Sequence, residues 1–188
     1  DKSWLMRMGL LDLLDSRTDM IRFLERQPDL GSDMQSLLRA SHQWFNGEDI
    51  EVGESGTLYR FMQFATWQLG EERVFIKSGT LQSRIINNDP SIVSLSLVDL
   101  LKLDNGTSQW ASAAVLCGSA ELPPVPLPYK LGVTFEARDH WRSAFARDEC
   151  WQAREDPTIA RQVEAFLEWR KTGQMNFIPQ QAEDYCMA

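Results

Sequence analysis

The chain has no surplus of positive charge. Among its 188 residues, 19 are Lys or Arg and 27 are Asp or Glu, a formal net charge of −8. Generalised binding to nucleic acid needs a basic surplus to neutralise phosphates, so no nucleic-acid partner is expected. A few local cations can still dominate one small anion site. No apolar run approaches the length that spans a bilayer, and no secretory leader pattern opens the sequence, which predicts no membrane partner and a cytoplasmic location. Cysteine is scarce. Cys117, Cys150 and Cys186 are odd in number and widely spaced, giving neither a disulfide framework nor zinc-type pairing. Cys117 lies in the apolar run 113–117 and reads as a buried thiol in a reducing compartment. The two histidines, His42 and His140, are far apart and have no evident metal-binding companions, so neither a metal nor a cofactor is expected.

Hydrophobic residues make up 43% of the sequence, which predicts a folded globular protein with one substantial core or two small ones. Helical spacing of Trp4, Leu5, Met8, Leu11 and Leu14 predicts a helix over 3–14. A strand is expected over 20–24. Ser32 with Gln35 three residues later reads as a capping box opening a helix whose apolar face holds Met34, Leu37, Leu38 and Phe45. A strand over 49–52 runs into the turn 54–57, and the helix after it carries Leu58, Phe61, Met62, Ala65 and Leu69 on one stripe. Residues 74–77 read as a strand, and Asp89-Pro90 as the cap of a helix reaching about Leu101. Trp110, Ala113, Ala114 and Cys117 mark the inner face of the next helix. Pro123, Pro124, Pro126 and Pro128 form a non-helical connector. Residues 129–141 admit either strand or helix, Asp156-Pro157 caps a helix through Arg170, and 175–178 reads as a last strand. Alternating helices and short strands with short links predict an α/β (α+β) class.

Three stretches place glycine, hydroxyl or cationic groups at the start of a helix-like run. There, free backbone N–H groups and the helix dipole favour anions. They are Lys2-Ser3 with Arg7, Glu54-Ser55-Gly56-Thr57 with Arg60, and Thr107-Ser108-Gln109. Ser3 and Arg7 share a helix face, and a guanidinium suits carboxylate or phosphate. Arg84 follows the turn Ser78-Gly79-Thr80. Each pattern alone is also what an ordinary N-cap with solvated side chains looks like. Three together point to a ligand carrying phosphate and carboxylate groups.

In this order the stretches resemble the 5-enolpyruvylshikimate-3-phosphate synthase family (3-phosphoshikimate 1-carboxyvinyltransferases) among the enolpyruvyl transferases. The likeness runs through Lys2, Ser3 and Arg7, the turn 54–57 with Arg60, Arg84, the run 107–114 and the pair Pro128-Tyr129. It implies a fold of two lobes built from repeated sheet-and-helix units, with residues 1–155 as the first lobe and 156–188 as the start of the second. The remainder of the second lobe would be a missing partner. The implied reaction transfers the enolpyruvyl group of phosphoenolpyruvate to shikimate 3-phosphate in aromatic amino-acid biosynthesis; these two compounds are the implied partners, and the chain by itself is expected to be inactive. The implied substrate-binding residues are Lys2, Ser3, Arg7, Gly56, Thr57, Arg84, Thr107, Ser108, Gln109 and Tyr129. No catalytic residue follows, because the position of the family's general-base aspartate falls on Pro179. Glu54 stands where the family has asparagine. These two departures leave open a diverged, non-catalytic binding homologue, or a transferase for another phosphorylated alcohol.

Overall fold

The computed structural model describes residues 2–118 and 128–146, together with 164, 168 and 170–173. Among these the arrangement is helix-rich and mixed. In chain order it runs α1 (Lys2–Leu14), α2 (Asp19–Glu25), α3 (Ser32–Asn46), β1 (Ile50–Gly53), α4 (Gly56–Leu69) and β2 (Phe75–Lys77). Two 3₁₀ turns (Gly79–Ser83 and Pro90–Ser94), α5 (Leu97–Leu100), α6 (Gln109–Leu116) and α7 (Tyr129–Ala146) follow. The strands pair in parallel, Ile50 opposite Phe75 and Glu51 opposite Ile76, and α4 is the crossover between them.

The chain's punctuation explains these bounds. Gly47 (φ 74°) and Gly70 (φ 70°) turn left-handed after α3 and α4. The following N–H groups close back on the last turn, Glu48 to Gln43 at 3.0 Å and Glu71 to Thr66 at 2.9 Å. At the other end of α4, Ser55 is the N-cap, and its hydroxyl oxygen accepts the Leu58 N–H at 3.4 Å.

The core is contributed chiefly by α1, α4, α6 and α7, with Met8, Phe61, Phe64, Trp110 and Leu131 among its buried side chains. Helices α4 and α6 are covered nearly all round rather than along one stripe, which suits the centre of a helical layer. Of the stripe expected on α4, Leu58, Phe61, Met62 and Ala65 are buried and Leu69 is exposed. On α3, Met34 and Leu37 point inward, but Phe45 is exposed and Trp44 is buried instead.

Three local expectations are corrected. Residues 20–24 are helical, not a strand. Met20, Ile21 and Leu24 are buried at helical spacing, and the Asp12 carboxylate on α1 accepts the Met20 N–H at 2.9 Å, capping α2 from outside. The single helix expected over 89–101 is broken in two. Asp89 caps only the 3₁₀ turn, accepting the Ser91 N–H, and Leu95 is extended. Ser96 then caps α5 by accepting the Asp99 N–H. At α3 no capping box forms. Gly31 occupies the N-cap and the Gln35 amide donates to the Leu30 carbonyl.

Residues 129–141, left open by sequence, are helical within α7. Glu164, Glu168 and Arg170 are helical and exposed. Pro123, Pro124 and Pro126, Cys150 and Cys186, the strand expected over 175–178, Pro179 and the boundary at 155/156 lie outside the described residues. No described helix is long and apolar enough to cross a membrane.

Candidate functional site

Helices α1, α6 and α7 are stitched together by Arg7, which is only 2% exposed. Its guanidinium donates to the Ser3 carbonyl at 2.8 Å, the Lys130 carbonyl at 2.8 Å, the Ser112 hydroxyl at 3.3 Å and the Thr134 hydroxyl, and it lies over the Phe61 ring. Thr134 in turn donates to the Lys130 carbonyl at 2.7 Å and shares a hydrogen bond with the Ser112 hydroxyl at 2.9 Å. A buried guanidinium demands this degree of satisfaction. Lys130 reaches back to α1, its ammonium donating to the Ser3 hydroxyl oxygen at 2.7 Å. Ser3 and Arg7 do share a helix face, but Arg7 is turned into the protein rather than out of it. Lys2 forms an exposed ion pair with Asp33 on α3 at 2.9 Å.

A second cluster joins the starts of α4 and α6. The Arg60 Nε donates to Asp104 at 2.7 Å, and its Nη1 donates to the Gln109 Oε1 at 2.7 Å and to the Gly56 carbonyl at 3.2 Å. Gln109 then donates its Nε2 to the Thr57 hydroxyl oxygen at 2.8 Å. Arg60 and Asp104 are buried, with side chains 9% and 7% exposed. Burial opposes ionisation of Asp104. The Asn87 N–H, Arg60 and the Trp110 indole N–H outweigh it, holding the carboxyl below its usual range. Trp110 stacks on Trp67 beneath this pair, and Arg60 lies over its ring. Space at Gly56 is tight: a Cβ there would sit 3.0 Å from Arg60 Nη1 and 3.3 Å from Arg84 Nη1.

The Glu54 carboxylate, next to the α4 start, is engaged by the turn before Arg84. It accepts from the Thr80 N–H at 3.0 Å and the Thr80 hydroxyl at 3.1 Å. Those bonds, with Arg84 nearby, lower its pKa. The carboxylate lies against Gly79, where the positive φ of 49° favours glycine and a Cβ would meet the carboxylate at 2.2 Å, displacing it from Thr80. Arg84, exposed, donates to the Thr80 hydroxyl oxygen at 3.1 Å. Thr80 therefore links Glu54 to Arg84.

The structure thus gathers Gly56, Thr57, Gln109 and Arg84 around Arg60, and ties Ser3 to Arg7 and Lys130. Helix α6 joins the two groups: Gln109 belongs to one, Ser112 to the other, and the Ser112 N–H donates to the Ser108 carbonyl. The Ser55 hydroxyl touches Met6 Sδ at 4.0 Å, a second link between α4 and α1. Ser108 is the N-cap of α6 without a side-chain cap bond, and the Thr107 hydroxyl oxygen accepts the Gln109 N–H at 3.4 Å. Tyr129 begins α7, and its side chain lies outside the described residues.

Sequence reading missed Asp104, Ser112, Lys130 and Thr134. Asp104 had a local signal, because Asp104, Asn105 and Gly106 are all left-handed in the turn before α6. Ser112 and Thr134 stand one helical turn after Ser108 and Lys130. Cys117 is half-buried at the end of α6, and burial pushes its thiol up to about 12, which leaves it protonated and unreactive at neutral pH. His42 is exposed on α3, 3.2 Å from Glu25. Among the described residues there is no group of three His, Cys, Asp or Glu side chains placed to hold a metal ion. No family model, no curated protein and no solved structure matches the chain.

Proposed function

We propose that the surface where α4, α6 and the Arg84 turn meet binds a small phosphate- and carboxylate-bearing ligand. In line with the resemblance, we take the activity to be enolpyruvyl transfer from phosphoenolpyruvate to shikimate 3-phosphate. The observation that carries this reading is the Arg60–Gln109–Thr57 bridge between two helix starts, with the Arg84 guanidinium against Gly56. It brings the exposed Arg84 guanidinium close to the first turn of α4, where a helix start and a cation both favour an oxyanion. Held in that field, the two anionic reactants would be oriented and their charge neutralised before any proton moves.

One observation favours a second reading, a binding homologue without turnover: Arg7 and Arg60 both give their donors to protein groups. Calorimetric titration with each compound, followed by a phosphate-release assay with both present, separates the two. Binding with phosphate release supports transfer. Binding without release, in the chain supplied with the rest of a second lobe, favours the binding homologue. No binding of either compound overturns both.

A further inference from the structure

Two Asn-Gly pairs occur in the chain, Asn46-Gly47 and Asn105-Gly106. Such a pair can modify itself, because glycine has no Cβ to shield its backbone nitrogen from the neighbouring side-chain amide. The fold holds the two pairs differently. Asn46 is the last residue of α3, and its amide nitrogen donates to Glu48 Oε1 at 3.1 Å. The bond from the Glu48 N–H to the Gln43 carbonyl at 3.0 Å closes that helix end around it. Asn105 lies between α5 and α6, outside any helix, and both it and Gly106 are exposed. Among the described residues none hydrogen-bonds its side chain. The backbone is left-handed at three successive residues, Asp104 (φ 48°), Asn105 (φ 64°) and Gly106 (φ 81°). One bond holds the Gly106 N–H, to the Leu103 carbonyl at 3.0 Å. The pair also lies on the backbone path between two buried side chains that bond each other. Asp104, before it, accepts the indole N–H of Trp110, after it, at 2.9 Å, and the same carboxylate holds Arg60.

We propose that Asn105 is a site of spontaneous covalent modification, converting to aspartate and isoaspartate, and that the isoaspartyl product uncouples Asp104 from Trp110. Once the Leu103 bond opens, hydroxide takes the Gly106 amide proton and the nitrogen attacks Asn105 Cγ. An N–C bond forms, the Cγ–NH₂ bond breaks, and ammonia leaves with a proton from water, giving a succinimide ring. Water then opens the ring. Addition at Cγ breaks the new bond and leaves aspartate. Addition at the main-chain carbonyl breaks the original peptide bond and leaves isoaspartate, whose backbone runs through the side chain and is longer by a methylene. Water is the sole co-reactant, and nothing is oxidised or reduced. The aspartate product keeps the turn, because aspartate tolerates the left-handed region as asparagine does. The isoaspartyl product lengthens the path from Asp104 to Trp110 and strains the bond between them. None of this depends on the ligand proposed above.

The test ages the full chain at physiological temperature in mildly alkaline buffer, beside a sample unfolded in urea. Peptide mapping by mass spectrometry follows the conversion of each asparagine, and isoaspartate-specific methylation counts the rearranged product. In the folded chain Asn105 is expected to convert at least about fivefold faster than Asn46, the factor that one further hydrogen bond to break imposes. In urea the two rates should converge, since neither pair is then held. Thermal melts read the consequence, each aged chain being compared with its own fresh sample. Aged wild type should melt lower in proportion to its isoaspartate. Asn105→Gln, whose longer side chain cannot close the same five-membered ring, should keep its melt on ageing, and Asn105→Asp should melt close to fresh wild type. Conversion at Asn46 as fast as at Asn105, or conversion of Asn105 in urea alone, overturns the assignment of the site. An aged chain rich in isoaspartate at position 105 that melts like the fresh one overturns the coupling to Asp104.

Discussion

Arg7 illustrates how a residue's place can be read from the sequence while its partners cannot. Its spacing from Ser3 puts both on one face of α1, as sequence alone indicates. Its partners Ser112, Lys130 and Thr134 stand more than a hundred positions away, and no local pattern announces them. The guanidinium therefore fastens three helices. Arg7→Ala would strip hydrogen bonds from buried hydroxyls and carbonyls, and we expect a loss of about 3 kcal/mol or more in denaturant unfolding. Arg7→Lys should recover only part of this, because an ammonium cannot span the same acceptors. A variant as stable as wild type would show the cluster to be dispensable. Gln109 gives the converse lesson: its spacing suits exposure to solvent, yet its amide is engaged at both ends.

Most elements were legible because their punctuation is local. Gly47 and Gly70 end helices, Ser55 begins one, and the strands β1 and β2 carry apolar runs between turns. Helix α2 was not legible, since its short apolar stretch fits either period and the group that settles it belongs to another helix. That group is Asp12, buried, with one carboxylate oxygen on the Met20 N–H and the other buried without a hydrogen-bond partner. Burial raises its pKa, outweighing the Met20 N–H and Arg17. The sign follows directly. A carboxyl whose folded pKa is raised binds its proton more tightly when folded. Its ionisation therefore weakens the fold progressively as pH rises from the unfolded value, about 4, through the folded one. Asp12→Asn keeps an acceptor for Met20 and removes the charge. It should melt at or above wild type at neutral pH, with the advantage shrinking as pH falls through the raised folded value and gone below about 4. Asp12→Ala removes the same charge but lacks the acceptor, so it should fall below Asp12→Asn by about 0.5–2 kcal/mol at every pH. An Asn variant less stable than wild type at neutral pH would contradict the burial argument.

At the scale of the molecule, the mixed α/β class and the order of helix starts could be read in advance, because both depend on periodicity and caps. What the side chains at those starts do could not. Arg60, Gln109 and Thr57 meet only once α4 and α6 pack, and Asp104 joins them from a turn whose left-handed residues reveal a bend but not its target. The net charge of −8 likewise conceals a local concentration of donors.

The parallel pairing of β1 and β2 also governs the order of events when the chain folds. Residues Ile50 and Phe75 can meet only after the intervening segment has closed, and that segment is α4 itself. Loop closure across a formed helix is less unfavourable than across a loose chain, so we expect α4 to form in the folding nucleus and the strand pair to be completed afterwards. Met62→Ala, inside α4, is accordingly expected to slow refolding, whereas Val52→Ala, in β1, should chiefly quicken unfolding; stopped-flow chevrons of the two variants measure the difference. Once the pair has formed, strand opening should be the rarer first step towards proteolytic attack than fraying of the exposed 3₁₀ turns that follow it, and cleavage sites mapped under native conditions would register that hierarchy.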